Sequence, residues 1–101
     1  MFKVNIRHNE NEVVVAPQGE LDAIATNEMD DVLTRVTRLA RNRLVLDCQK
    51  LEYISSSGLR FFLLLKKNSE QKGGSAIVRN MNKNVEDIFR LCGFHHIFDI
   101  E

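Results

Sequence analysis

Three consecutive hydroxyl side chains, residues 55–57, stand directly before Gly58 and a very apolar segment that begins at Leu59. Serine caps the start of helices and glycine allows a tight turn into them, so a helix start explains one of these serines. A helix N-terminus also has free backbone N–H groups and the positive end of the helix dipole, which together favour phosphate. A phosphate on Ser57 would add about 1.5 to 2 negative charges at neutral pH. Two interpretations of Ser57 therefore stay open, a helix cap and a phosphorylation site.

The other reactive side chains predict neither a metal site nor a cofactor site. Cys48 and Cys92 each follow an apolar segment, and no C-x-x-C occurs, so both are expected to be free, buried thiols. In an extended segment the side chains of His95 and His96 would point to opposite faces, which disfavours a shared metal ion. An enzyme with Ser57 as nucleophile and a histidine as base is a minor alternative, because no G-x-S-x-G occurs. Nucleotide binding is also no more than a minor alternative, because no phosphate-binding loop sequence occurs.

The composition disfavours two classes of partner. The 101 residues include 14 basic and 14 acidic side chains, without the basic excess typical of nucleic-acid-binding proteins. The apolar runs are far shorter than a membrane-spanning helix requires, so no membrane insertion is expected. The start of the chain lacks the continuous apolar stretch of a secretory signal. We therefore expect a mature, cytoplasmic protein. The sequence leaves its oligomeric state open, with a monomer when free as the default expectation.

Four segments have the patterns of β-strands. They are the alternating segment at residues 2–6, the β-branched run at 13–16, and the apolar runs at 44–46 and 75–79. The last two are unbroken, which is typical of buried strands in a sheet flanked by helices. Pro17 should lie near the end of the second strand, because proline cannot donate a hydrogen bond within a sheet.

Two longer segments have the patterns of helices. Residues 19–22 lead into the first, for which Thr26 is the expected N-cap. This helix has one apolar face, formed by Met29, Val32, Leu33, Val36, Leu39 and Ala40. The second helix starts around Ser57 and Gly58, is apolar on nearly all sides at first, and ends at the two glycines of residues 73–74.

A third helix and a closing segment complete the chain. Asn84 is the expected N-cap of this helix, with Asp87 in the reciprocal capping position. Its inward stripe is formed by Val85, Ile88, Phe89 and Cys92. Residues 94–100 are apolar enough to form a short closing strand or turn. The predicted order is β-β-α-β-α-β-α with a possible short final strand, which is an α/β fold with a mixed β-sheet flanked by helices.

Two motifs in this order resemble the signatures of STAS domains, a family that includes the bacterial anti-sigma factor antagonists. One is Val45-Leu46-Asp47 followed by Leu51 and Tyr53-Ile54-Ser55-Ser56-Ser57-Gly58-Leu59, and the other is Gly19-Glu20-Leu21-Asp22. The two motifs have the separation expected for the family, and the predicted order of strands and helices also fits. The resemblance covers residues 1–101 as a single STAS domain.

The resemblance implies a switch by phosphorylation. In antagonists of this family the serine directly before the glycine, here Ser57, is phosphorylated by a partner that is both an anti-sigma factor and a serine kinase of the histidine-kinase-like ATPase type. The unphosphorylated form binds this partner and releases the sigma factor. A PP2C-type phosphatase reverses the modification. The chain itself would then be a binding module and not an enzyme, and it would need no cofactor.

The resemblance also implies which residues surround the switch, namely Asp22, Ser55, Ser56, Gly58 and Arg60. Asp22 matches the family's acidic residue at the end of the second strand, which would shape the phosphorylated loop or help in phosphotransfer, although a helix cap explains it equally well. The antagonists often have an aspartate where this chain has Ser55. The serine there leaves Ser55 and Ser56 as secondary phosphorylation candidates. Partner contacts are expected from Arg60 and from residues 23–27.

One alternative function keeps the same fold. STAS domains also serve as non-enzymatic regulatory subunits of transporters, lipid-transport complexes and sensor complexes. A chain consisting of this domain alone disfavours a covalently attached transporter tail, but it is compatible with a separate subunit.

Overall fold

The fold is built from six strands and four helices in the computed structural model, which describes residues 2–39 and 43–101. The strands are β1 (Lys3–His8), β2 (Glu12–Leu21), β3 (Arg43–Asp47), β4 (Leu51–Ile54), β5 (Ser75–Arg79) and β6 (Asp99–Ile100). The helices are α1 (Ala23–Thr26), α2 (Asp30–Leu39), α3 (Ser56–Gln71) and α4 (Lys83–Leu91), with short 3₁₀ turns at Asn27–Met29 and Phe94–His96. The predicted fold class is confirmed, including the short final strand.

The strands form one mixed sheet in the order β1-β2-β3-β5-β6. β1 is antiparallel to β2, to which residues 9–11 connect it, whereas the pairs β2–β3, β3–β5 and β5–β6 are parallel. Parallel neighbours need a crossover connection, and α2, α3 and α4 provide these connections. β4 pairs in parallel with the C-terminal end of β2, where Leu21 lies opposite Ile54. This pairing places the end of β2 next to the residues that lead into α3.

The core lies between the helices and one face of the sheet. The sheet contributes alternate residues of its central strands, and the helices contribute their apolar faces. The members include Val13, Val15, Leu44, Leu46, Ala76 and Val78 from the sheet, and Met29, Val32, Val36, Phe62, Leu65, Val85 and Phe89 from the helical segments. The predicted apolar face of the first helix is thus buried at Met29, Val32 and Val36 and partly buried at Leu33. Ala40 and the side chain of Leu39 lie outside the described part of the chain.

The opposite face of the sheet has a polar border around a small apolar centre. Val45 is completely buried, although it does not belong to the helix-side cluster. Near it, Arg43 forms ion pairs with Glu101 at 3.1 Å and with Glu12 at 3.8 Å. Exposed pairs of this kind stabilise a fold only slightly, so the core on the helix side accounts for most of the stability.

Two predictions about strands are wrong. β2 does not end near Pro17 but continues to Leu21. Pro17 is tolerated because it lies between the stretch of β2 that pairs with β3 and the stretch that pairs with β4, where no parallel neighbour needs its missing N–H. β4 was not predicted as a strand, because Glu52 and Tyr53 at its centre are both exposed and the strand therefore lacks alternation.

The start of the first helical region also differs from the prediction. α1 begins at Ala23, and its N-cap is Asp22, whose Oδ1 accepts a hydrogen bond from the Ala25 backbone N–H at 2.8 Å. The Thr26 hydroxyl has no capping role and donates to the Asp22 carbonyl at 2.8 Å. The cap interpretation of Asp22 is therefore confirmed, and the prediction of Thr26 as the N-cap is wrong.

The last helix is capped two residues earlier than predicted. The N-cap is Asn82, whose Oδ1 accepts from the Val85 N–H at 2.9 Å, while its Nδ2 donates to the Leu51 carbonyl at 2.9 Å. Asp87 forms an ion pair with Lys83 at 3.4 Å instead of the expected reciprocal cap. Cys92 is exposed, contrary to the prediction, because α4 ends at Leu91 and the helical periodicity does not extend to it.

Replacing Asn82 by alanine is expected to destabilise the fold by about 1–2 kcal/mol, because α4 loses its cap and a backbone carbonyl of β4 loses its donor. The matched control is Asn84→Ala, which changes an exposed residue within the first turn of the same helix and should stay within about 0.5 kcal/mol of the parent. Urea unfolding monitored by circular dichroism measures both. Equal effects of the two substitutions would contradict the assignment of the cap.

Candidate functional site

The three consecutive serines have different structural roles. Ser55 is the N-cap of α3, with an extended backbone (φ −87°, ψ 173°), and its Oγ accepts a hydrogen bond from the Gly58 N–H at 3.2 Å. α3 begins at Ser56, so the helix starts slightly earlier than predicted and Ser57 lies in its first turn. Within the described part of the chain, neither the Ser56 nor the Ser57 hydroxyl has a hydrogen-bond partner. The cap interpretation thus applies to Ser55 and leaves Ser57 without a structural task.

Ser55 also connects α3 to the end of β2. Its Oγ donates to the Leu21 carbonyl at 3.1 Å, and its backbone N–H donates to the same oxygen at 2.9 Å. A hydroxyl can accept the capping bond and donate this second one, whereas an ionised aspartate at the same position could only accept. Ser55 therefore makes both contacts, which an ionised aspartate there could not do.

Gly58 allows α3 to approach this strand end closely. A Cβ atom at this position would lie 2.8 Å from Ile54 Cγ1, 2.8 Å from Leu21 Cγ and 2.9 Å from the Leu21 carbonyl oxygen. These distances are shorter than carbon atoms tolerate, so a larger residue would displace the helix from the ends of β2 and β4. Packing, and not an unusual backbone angle, is what requires glycine here.

Ser57 lies at the rim of a recess of about 240 Å³ between α1 and α3. The other residues that line it are Thr26, Arg60, Phe61 and Leu64. Ser57 is partly exposed, and Arg60 and Leu64 are exposed. The structure thus brings the predicted residues Ser57 and Arg60 together with one residue of the predicted contact segment 23–27. Since no histidine lines the recess, the geometry gives Ser57 no catalytic base there.

Asp22 lies in a second, separate groove of about 490 Å³ on the surface of α1. Glu20, Glu28 and Glu52 also line this groove, as does the exposed side chain of Ile24. The carboxylate of Asp22 is committed to the cap of α1, next to the Leu21 carbonyl that accepts from Ser55. Asp22 therefore fixes the start of α1 at the point where α3 also begins.

Phe61 and Leu64 are site residues that the sequence analysis did not identify. They follow Ser57 at positions i+4 and i+7 of the same helix, which is the spacing of one helix face. Their spacing from Ser57 could therefore have identified both residues from the sequence. No local sequence feature pointed to the other missed component, the carbonyl of Leu21, since this contact depends on the pairing of β2 with β4.

The remaining reactive groups lie apart from this site. Burial raises the pKa of the Cys48 thiol far above its usual range, with the charge of Asp47 as a smaller cause, so this thiol stays protonated and unreactive. His95 and His96 do not point to opposite faces as expected, because they lie in a 3₁₀ turn where their ring centroids are 3.9 Å apart. Residues 2–39 and 43–101 contain no group of three or more potential metal ligands.

The part of the chain that the structure describes also contains no helix that is long and apolar enough to cross a membrane.

Comparison with known proteins identifies relatives along the full length of the chain. The family profile described as STAS domain matches residues 3–101. BtrV of Bordetella bronchiseptica, which is named among the anti-sigma factor antagonists, is 30% identical over 88 residues, covering 87% of this chain and 76% of BtrV. The anti-sigma-B factor antagonist of Bacillus subtilis is 26% identical over 100 residues, covering 98% of this chain and 90% of that protein.

Solved structures share the fold. The anti-sigma factor antagonist SpoIIAA in its unphosphorylated form superposes with a TM-score of 0.80 at 22% identity, covering 100% of this chain and 88% of that chain. SpoIIAA of Bacillus in its phosphorylated form superposes with a TM-score of 0.70 at 18% identity, covering 100% of this chain and 91% of that chain. At these identities the superpositions show a common fold.

Replacing Ser55 by alanine is expected to destabilise the fold by about 1–2 kcal/mol, since the cap of α3 and one bond to the Leu21 carbonyl are both lost. Ser56→Ala is the matched control in the same turn, because the Ser56 hydroxyl is exposed and should contribute less than about 0.5 kcal/mol. Chemical unfolding of both variants measures the difference. A Ser55→Ala variant as stable as Ser56→Ala would refute the role of Ser55.

Replacing Gly58 by alanine is expected to cost about 1–3 kcal/mol of stability, because the added methyl group overlaps Ile54 and Leu21. Alanine favours helices more than glycine does, so helix propensity alone predicts the opposite sign. Thermal unfolding distinguishes the two effects. A stabilised Gly58→Ala variant would show that α3 does not approach the strand ends as closely as described.

Proposed function

The chain belongs to the STAS domain family, with anti-sigma factor antagonists as relatives, and we propose that it is an antagonist whose binding to an anti-sigma factor is switched by phosphorylation of Ser57. The unphosphorylated chain binds the anti-sigma factor and thereby releases the sigma factor. Phosphorylation ends this binding. In this proposal residues 1–101 act as one domain in the cytoplasm.

The observation that carries the proposal is that Ser55 and Ser57 have different structural roles. Ser55 holds the start of α3, whereas Ser57 has a partly exposed hydroxyl with no partner among the described residues. A kinase can therefore reach Ser57 and modify it without breaking a contact that maintains the fold. Ser55 is disfavoured, because its phosphorylation would remove a cap and a bond to β2. Ser56 is exposed and remains the secondary candidate.

The position of Ser57 also suits a phosphate. Leu59 donates its N–H to the Ser55 carbonyl, so the N–H groups of Ser56 and Ser57 precede the regular hydrogen bonds of α3 and have no acceptor within the helix. These donors and the positive end of the helix dipole stabilise an anion in the first turn. Phosphorylation should therefore leave the helix intact.

The chemistry is supplied by the partner in this proposal. The Ser57 oxygen forms a bond to the γ-phosphorus of ATP, the bond to the β-phosphate oxygen breaks and ADP leaves, while the hydroxyl proton passes to a base of the kinase. The kinase would be an anti-sigma factor of the histidine-kinase-like ATPase type, and a PP2C-type phosphatase would hydrolyse the phosphoserine. The chain itself needs no catalytic group.

The expected partner surface surrounds Ser57. It comprises Asp22, Ser55, Ser56 and Arg60 together with the exposed residues of the segment 23–27, whereas the buried Gly58 supports this surface by letting α3 approach β2. Ile24 and Leu64 add exposed apolar side chains to this surface, and such side chains bind when a partner excludes water from them. A phosphate placed among them would oppose binding through its charge and its hydration.

A change confined to the surface is supported by the comparison with SpoIIAA. That protein has been solved in unphosphorylated and phosphorylated forms, and this chain shares its fold with both. We infer that a phosphate is accommodated within the fold and acts on the partner by charge and size.

The direct test is incubation of the chain with ATP and each purified histidine-kinase-like ATPase of the same organism. We expect one phosphate per chain by intact-mass spectrometry for the parent and for the control variant Ser56→Ala, and none for Ser57→Ala. Ser57→Ala should retain binding to the anti-sigma factor, whereas Ser57→Asp should bind at least about tenfold more weakly, which is about 1.4 kcal/mol. Isothermal titration calorimetry measures these affinities.

Two results would overturn the proposal. One is phosphorylation of Ser57→Ala to the same extent as the parent. The other is equal partner affinity of Ser57→Ala and Ser57→Asp, which would favour a regulatory subunit that does not depend on this switch.

A further inference from the structure

Arg60 is placed to contact the side chain of Ser57 within the same molecule. The two residues are three positions apart on α3, and side chains at this spacing are neighbours, with Cβ atoms about 5–6 Å apart. Helical side chains also lean toward the N-terminus of their helix, so the side chain of Arg60 extends over the turn that contains Ser57. Both residues line the recess of about 240 Å³ described above.

The guanidinium group of Arg60 is available for such a contact. Among the described residues no carboxylate lies within ion-pair distance of it, whereas Arg43 and Arg79 on the sheet both pair with Glu101. The other residues of the recess, Thr26, Phe61 and Leu64, are uncharged. The carboxylates of Asp22 and Glu28 line the separate groove on α1. Among the described residues that line the recess, Arg60 is therefore the one charged side chain.

We propose that Arg60 binds the phosphate of phosphorylated Ser57 in cis, within the recess between α1 and α3. This inference deepens the proposed function and rests on it for the identity of the modified serine. The planar guanidinium can donate two parallel hydrogen bonds to two phosphate oxygens, which a lysine cannot do. The apolar walls formed by Phe61 and Leu64 exclude part of the water that would otherwise screen the charges.

Phosphorylation then changes the partner surface in two ways. It adds an anion beside α1, and it removes Arg60 from the cations that a partner can contact. If the partner has an acidic group opposite Arg60, phosphorylation of Ser57 would break the ion pair between them. The same acidic group would also be repelled by the phosphate. Arg60 is thus a specificity-determining residue that acts through the phosphate and not through the fold.

The test uses the full chain with phosphoserine incorporated at position 57 during translation, so that no kinase is needed. Titration of the phosphate by ³¹P NMR gives its second pKa, which is about 6 without perturbation. A cation held beside the phosphate stabilises the dianion and lowers this pKa. We expect the pKa in Arg60→Gln to be higher than in the parent by about half a unit, as for the loss of one partly exposed ion pair.

Two further variants identify the cause. Arg60→Lys keeps the charge without the planar fork and should restore part of the shift. Lys67→Gln removes an exposed charge from the same helix about 15 Å from Ser57, and should leave the phosphate pKa unchanged. A difference between the parent and Arg60→Gln that shrinks at high salt would support the ion pair.

An identical phosphate pKa in the parent and in Arg60→Gln would overturn the inference, as would an equal shift in Lys67→Gln. Circular dichroism shows that each variant is folded, which is expected because Arg60 and Lys67 are exposed. Absence of kinase-dependent phosphorylation at Ser57 would contradict the proposed function and leave this titration unaffected, so the two failures are distinguishable.

Discussion

The carbonyl oxygen of Leu21 accepts two hydrogen bonds from Ser55, one from the backbone N–H and one from the hydroxyl, and these bonds join the end of β2 to the start of α3. The rest of the site depends on this junction. Gly58 packs against the same carbonyl without a side chain, which sets the distance between helix and strand. Asp22, the residue that follows β2, caps α1, so two helices begin at one fixed point. The positions of α1, α3 and the recess between them all follow from it.

A rigid junction is compatible with a switch because Ser57 is not part of it. The residue lies in the first turn of α3, whose buried side is held by Leu59, Phe62 and Leu65 in the core. A phosphate on Ser57 meets free backbone donors and the positive end of the helix dipole, and no buried contact has to break. In the proposed switch the framework would therefore present the same backbone in both states, while the charge and the size of the surface would change. In our proposal Arg60 adjusts that change locally, since its exposed side chain has no ion-pair partner among the described residues.

The sequence was sufficient to predict the fold class and to place Ser57 at the start of a helix, because both depend on local patterns. Alternating apolar residues, unbroken apolar runs and helical spacing indicate the same elements in almost any tertiary context. The apolar residues within 94–100 likewise indicated a short closing strand or turn. The errors occurred where several residues satisfy the same local rule. Asn82 and Asn84 are both residue types that cap helices well, and the tertiary contact of Asn82 with the Leu51 carbonyl favours Asn82. The bond from Ser55 to Leu21 spans 34 positions, and β4 has little alternation, so neither could be read from neighbouring residues.

The central claim is that phosphorylation of Ser57 alters a surface on an unchanged fold. Backbone ¹H–¹⁵N correlation spectra of the chain with serine and with phosphoserine at position 57 test it most directly. The account predicts shift changes confined to residues 22–27 and 55–64, with hydrogen-exchange protection of β2, β3 and β5 unaltered. Shift changes that extend through β5 and α4, or a loss of protection in β2, would contradict it.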